Sequence, residues 1–187
     1  MRMPKLEQLW TVEQVLALPS DGNRYEVIDG ELFVTPAPSL NHQSAAFELC
    51  RLLQEYLQRE RVGHAYVAPA DVTFSPRRLV QPDVFAVPLV NGRRPRRFED
   101  AGKLLLTAEI LSPSTARADR IRKRDMFRDE GVPEYWVVDL DARAIERSTP
   151  RDPRVELLAD RIEWRPAGAE TTLEVDLADY FARVLDD

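Results

Sequence analysis

Residues 104–115 read LLLTAEILSPST. The run up to Leu111 is apolar without alternation. It predicts a strand over Lys103–Leu111, buried on both faces and therefore central in a sheet. One residue interrupts it, Glu109. A carboxylate among strand-forming apolar side chains costs several kcal/mol unless a partner neutralises it. A second acid, Asp83 in QPDVFAV (81–87), opens another apolar strand that runs to Val87. Two acids on neighbouring strands supply the hard oxygen ligands that a divalent metal requires.

The flanking segments extend this sheet. Thr11 is a helix N-cap with Gln14 three residues on, which predicts a short helix to about Leu18. RYEVIDGELFV holds an Asp29-Gly30 pair between apolar segments, a two-residue hairpin signal. Its register pairs Ile28 with Glu31, Val27 with Leu32, Glu26 with Phe33 and Tyr25 with Val34. Tyr25, Val27, Leu32 and Val34 would form the core face; Glu26, Ile28, Glu31 and Phe33 form a mixed one. TPAPS leads into a helix over Ser39–Glu60 with an inward stripe of His42, Ala46, Leu49, Leu53 and Tyr56. One strand is expected over His64–Phe74, with SPRRLVQP as a connection and NGRRPRRFEDAG as a polar loop.

After SPST, a helix over Arg117–Glu130 would stop at Gly131, with Pro133 beyond it. EYWVVDL reads as a buried strand, Arg143–Val175 as short strands, and ADYFARVL as a closing helix. The fold class is α/β in the broad α+β sense: a mixed sheet flanked by helices with a β-rich C-terminal extension, in one domain spanning 1–187.

Composition narrows the function classes. The 187 residues are 44% hydrophobic and 31% charged, as in ordinary globular chains. No apolar run approaches the roughly 18 residues of a membrane helix, and the N-terminus shows no secretory h-region. The single cysteine, Cys50, excludes an internal disulfide and points to a cytoplasmic location. Two histidines and no CxxC argue against structural zinc. A net charge of −6 argues against indiscriminate nucleic-acid binding. The charge is uneven, however. RRPRR occupies 93–97, and Arg117, Arg120, Arg122, Lys123, Arg124 and Arg128 follow in one helix. Such patches meet a phosphate backbone or simply face solvent.

The residues alone leave alternatives open. Asp83 can merely start a strand, and Glu109 can pair with an arginine. Lys123 can form a surface ion pair with Asp119, four residues earlier, yet it also shares a helix face with Arg120 and Phe127. Ser112, Ser114 and Thr115 most simply cap the next helix; Tyr135 and Trp136 read as core aromatics. A carboxylate pair could also serve a metal-free sugar hydrolase.

The segments YEVIDGELFVTPAP, NHQ, QPDVFAV, AEILSPST, DRIRKRDMF and GVPEYWVVD, spanning 25–139, carry a resemblance. Together they look like the Uma-two family of restriction-endonuclease-like proteins, within the PD-(D/E)xK nuclease superfamily. The resemblance implies a restriction-endonuclease-like fold, a homodimer, and Mg²⁺-dependent cleavage of DNA phosphodiesters, with Mn²⁺ as a substitute ion. It makes Asp83 and Glu109 the metal-binding acids. It also places Glu26 and His42 on motif positions, Glu26 as a further metal or water ligand. The superfamily lysine normally lies two residues after the acid, where this chain has Leu111. Lys123 on the following helix matches the family's lysine instead. Phe127 stands where the family usually has tyrosine. The other expectation on this scaffold is a nucleic-acid-binding or regulatory module without catalysis.

Overall fold

A computed structural model describes residues 9–185. Thr11 caps helix α1 (Val12–Leu16) with the reciprocal Thr11–Gln14 bonds that the sequence predicts, although the helix stops short of Leu18. Strands β1 (Arg24–Ile28) and β2 (Glu31–Thr35) form the hairpin in the expected register. Asp29 and Gly30 both have positive φ, 53° and 85°. A two-residue turn of this hand needs that at both positions, which is why Asp-Gly serves here. Helix α2 (Leu40–Glu60) starts at Ser39, whose hydroxyl accepts from the His42 N–H at 3.3 Å. Its stripe of His42, Ala46, Leu49, Leu53 and Tyr56 is buried.

The expected strand His64–Phe74 is instead two. β3 (Gly63–Val67) and β4 (Val72–Ser75) are separated by a segment containing Pro69, which has no N–H to donate to a ladder. The supposed connection after it holds a further strand, β5 (Arg78–Val80). β6 (Val84–Pro88) follows, and the polar loop contains one short helix, α3 (Phe98–Ala101). β7 (Leu106–Ile110) leads to a π-helical turn (Ala118–Lys123) that continues as α4 (Arg124–Asp129). β8 (Tyr135–Asp139), β9 (Ala144–Thr149), β10 (Asp152–Leu158), β11 (Arg161–Trp164), β12 (Leu173–Asp176) and α5 (Leu177–Leu185) complete the chain.

Three sheets result. The largest has the order β10-β9-β8-β7-β6-β3, so β7 is central as expected; only β7 and β8 run parallel. A four-stranded antiparallel sheet has the order β2-β1-β5-β4, and β11 pairs with β12. Alternation along β6, β7 and β8 divides the large sheet's two faces. Val84, Ala86, Leu106, Ala108, Ile110, Trp136 and Val138 join the core formed with α2, α5 and the β11–β12 pair. Each fully buried leucine there, such as Leu53, stabilises the fold by roughly 1.5–3 kcal/mol. On the other face, Phe85, Val87, Tyr135 and Val137 pack against Met126 and Phe127 of α4 and Ile28, Val72 and Val80 of the smaller sheet.

The smaller sheet corrects the hairpin expectation. Val27 does face a core, with Val15 and Leu79, and Tyr25 and Leu32 pack on its edge. Val34, on the same supposed core face, is 52% exposed. The mixed face is the one that meets the large sheet, and it carries Glu26 and Ile28 inward, both buried. No helix among the described residues is long and apolar enough to cross a membrane.

Candidate active site

The odd-numbered face of β7 presents Thr107 and Glu109 rather than hydrocarbon, and both are buried. The antiparallel register pairs Val84 with Ala108. Carried one residue further, it sets Asp83 opposite Glu109. Asp83 is fixed there by its own side chain, whose Oδ2 accepts the Ile110 N–H at 2.8 Å. Glu26 arrives from β1 above, and its Oε1 accepts the Gln81 N–H at 2.7 Å.

Lys123 points inward and is 2% exposed. Its ammonium lies 2.9 Å from Glu109 Oε1, 2.9 Å from Glu26 Oε2 and 3.6 Å from Asp119 Oδ1. Asp119 and Lys123 therefore do form the pair that their spacing suggests, but inside the protein. The π-helical turn that carries both widens the helix locally, an irregularity that often marks functional sites. Arg120, expected on the same face as Lys123, is partly exposed and pairs with Asp139 and Glu146.

Arg24 is the first residue of β1 and shares a strand face with Glu26. Its Nη1 donates to Asp83 Oδ1 at 2.7 Å and to the Gln81 carbonyl at 3.1 Å. His42, from the first turn of α2, places Nε2 3.1 Å from Asp83 Oδ2, while its buried Nδ1 has no hydrogen-bond partner. The structure thus brings Asp83, Glu109, Lys123, Glu26 and His42 into one cluster. Arg24 and Asp119 are the two members that the sequence reading missed as site residues. Strand alternation was the available signal for Arg24, because any strand that turns Glu26 inward turns Arg24 the same way.

The cluster is electrostatically uneven. Four buried carboxylates (Glu26, Asp83, Glu109, Asp119) face two permanent cations, Arg24 and Lys123. Burial and repulsion from Asp83, Asp119 and Glu26 push the Glu109 carboxyl well above its ordinary range, against the pull of Lys123. Burial likewise raises Asp119, with Asp83 and Glu26 adding to it. Asp83 goes the other way. Burial opposes its charge, but His42, Arg24 and Lys123 hold it below the usual carboxylate range. Burial would discharge Lys123, and Glu109, Glu26 and Asp119 overcome that and keep it an ammonium.

This excess of hard-oxygen negative charge suits a divalent cation, and Asp119 Oδ1 is buried without a hydrogen bond. Among the described residues, no three His, Cys, Asp or Glu side chains gather into a ready-made cage. Mg²⁺ does not need one. It is commonly held by one or two carboxylates, with waters and substrate phosphate completing its shell. Two clefts that share Arg24 and His42 border the cluster on its Asp83 side. The larger, about 370 Å³, reaches Asp83 past Gly22, Gln43 and Pro69. The other passes between the residue 36–38 loop and Ser112–Thr115. Ser112 Oγ bonds Thr115 Oγ1 at 2.9 Å, and its carbonyl accepts from Thr115 N and Ala116 N, a local turn before the helix.

A family described as "Uma2: Putative restriction endonuclease" matches residues 12–184, and the chain belongs to this family. No curated protein matches the chain. The crystal structure of a "putative nuclease belonging to DUF820" from Anabaena variabilis superimposes with a TM-score of 0.77. That alignment covers 94% of this chain and 99% of that one at 21% identity, so the two share a fold.

Proposed function

We propose that this member of the Uma2 family is a divalent-metal-dependent endonuclease that hydrolyses DNA phosphodiester bonds at the Asp83–Glu109–Lys123 cluster. The observation that carries the reading is Lys123, which reaches Glu109 from the helix at 2.9 Å although Leu111 fills the position where the superfamily's lysine usually lies. Family membership supports the reaction class, and the buried carboxylate excess supports the cofactor.

Asp83 and Glu109 would hold the ion. Mg²⁺ bound there, or Mn²⁺ in its place, would neutralise phosphoryl charge and acidify a water. The chain's own residues do the rest. Lys123, kept charged by Glu109 and Glu26, supplies a fixed ammonium to negative charge growing on the phosphoryl oxygens. Glu26 aims that ammonium and is itself anchored by the Gln81 N–H. His42 Nε2 orients the Asp83 carboxylate. Water adds to phosphorus and one P–O ester bond breaks, leaving a phosphate monoester on one fragment and a hydroxyl on the other. Supercoiled plasmid incubated with Mg²⁺, and separately with chelator, tests this. Wild type should nick in Mg²⁺ alone, and Asp83→Ala and Glu109→Ala should not. Undiminished nicking by both variants rules the site out.

One observation favours a second reading, a nucleic-acid-binding module without catalysis. Arg24 already occupies Asp83 Oδ1 at 2.7 Å, so the acid that would hold the ion carries an internal counter-charge. A gel-shift signal with no metal-stimulated cleavage of any DNA form would select that reading.

A further inference from the structure

The RRPRR run has no part in the site just described. None of Arg93, Arg94, Arg96 and Arg97 has an ion-pair partner among the described residues. Elsewhere in this acidic chain, Arg24, Arg51, Arg78, Arg120 and Arg147 are matched to carboxylates, while Arg61, Arg77, Arg117, Arg151 and Arg165 are scattered singly without an ion pair; among the described residues only 93–97 gathers such arginines into one run. The four guanidinium groups sit consecutively around a buried Pro95 and project at the surface. An anion from outside the chain is their natural complement.

Directly beneath them is a cleft of about 290 Å³ whose lining includes Tyr66, Phe85, Pro95, Arg96, Arg97 and Phe98. Tyr66 and Phe85 stack with centroids 5.4 Å apart and planes 21° apart, and His64 and Tyr66 meet edge-on with centroids 4.8 Å apart. The Tyr66 hydroxyl donates to the Pro95 carbonyl at 3.1 Å and ties the arginine run to the cleft wall. Aromatic faces bordered by arginine are how sequence-tolerant proteins hold unpaired nucleotides: rings stack on bases, and cations meet the backbone. Two carboxylates, Asp71 and Glu99, also line this cleft, opposite in charge to the arginine rim. Asp71 Oδ1 accepts from Gln81 Nε2 at 2.8 Å, and Gln81 N donates to Glu26 in the proposed site. Phe85 lies two positions beyond Asp83 along β6, about 7 Å by strand rise.

We propose that this cleft and its arginine rim bind DNA as an unpaired strand, with a base against the part-exposed rings of Tyr66 and Phe98 and phosphates on Arg96 and Arg97. The choice of DNA as the polymer rests on the proposed function; the binding itself does not require cleavage. The test is fluorescence anisotropy of a labelled oligo-dT with the full chain in chelator, where no cleavage occurs. Wild type should bind. Arg96→Ala/Arg97→Ala should weaken binding on the order of tenfold, and flatten the logarithmic salt dependence by about 1.4, the share of two phosphate contacts on a single strand. Arg151→Ala/Arg165→Ala removes equal charge elsewhere and should bind as wild type. An oligonucleotide with abasic positions should bind more weakly than oligo-dT. Oligo-dT binding by wild type that fails to nick plasmid leaves the proposal standing, which separates this site from the nuclease reading. Unchanged binding by Arg96→Ala/Arg97→Ala would overturn it. So would an equal loss in the Arg151/Arg165 variant, equal affinity for abasic DNA, or a preference for oligo-rU over oligo-dT.

Discussion

The two faces of β7 are built from alternate residues of one five-residue strand, and they do opposite things. Leu106, Ala108 and Ile110 enter a hydrocarbon core with Leu53, Trp136 and Val138. Thr107 and Glu109, one step away, face the smaller sheet, where Glu109 joins three other acids, a lysine and an arginine. Both faces are equally sealed, since all five β7 residues are buried. The difference is what burial costs. On the α2 face it stabilises the fold in proportion to area. On the other it raises the free energy of each charge, and the fold tolerates the cluster only through mutual pairing around Lys123. Buried charges arranged against one another in this way gather at functional sites more often than elsewhere.

The comparison is broken most severely at Lys123. Lys123→Met leaves four buried acids with Arg24 alone. Denaturant unfolding should show a loss of about 3–5 kcal/mol, the cost of stripping one partner from a buried pair, and plasmid nicking should vanish. On the α2 face, Leu53→Ala should cost about 2–5 kcal/mol through the cavity it leaves, with nicking per folded molecule unchanged. If Leu53→Ala abolishes activity in protein that is still folded, the two faces are not functionally separate.

A smaller effect is expected at Arg24, which competes for the oxygen that metal would use. In isothermal titration, Arg24→Ala should bind Mn²⁺ about tenfold tighter than wild type, or about 1.4 kcal/mol. Weaker binding would mean that Arg24 supports the ion rather than displacing it. The smallest effect lies outside both faces. Glu60, at the end of α2, accepts from the N–H groups of Glu170 and Thr171 and from the Thr171 hydroxyl. These bonds, the Thr171 hydroxyl foremost, hold its carboxyl down at about 2, from 4.5. A depressed folded value means that the unfolded chain binds the proton more readily. The Glu60 contribution is therefore complete above pH 4.5 and fades as pH falls toward 2. Glu60→Gln should be less stable than wild type at neutral pH, and the gap should close over that range.

Much of this was legible before any coordinates. Asp29-Gly30 dictates the hairpin register because both turn positions need positive φ. The unbroken apolar run of β7 announces a central strand, and Glu109 stands out within it because nothing in hydrocarbon satisfies a carboxylate. Other features depend on long-range packing. The break between β3 and β4, and the short β5, give no periodic pattern long enough to read. Glu26 lies on a hairpin face that looks half-polar, and only the docking of the smaller sheet on the larger makes that face interior. For Lys123, the spacing to Asp119 correctly indicated an ion pair. The spacing of four to Phe127 points inward, and both residues are buried; Arg120, three residues before Lys123 in the π-helical turn, instead turns outward. Glu26 is named only through its motif position, and Arg24, on the same strand face two residues earlier, is overlooked although alternation ties the two together.

The most direct measurement is a crystal structure soaked in Mn²⁺ and read by anomalous scattering. The account predicts one peak bonded to carboxylate oxygens of both Asp83 and Glu109, with the Arg24 guanidinium turned away from Asp83. No peak at saturating Mn²⁺, with Arg24 still bonded to Asp83 Oδ1, would contradict it.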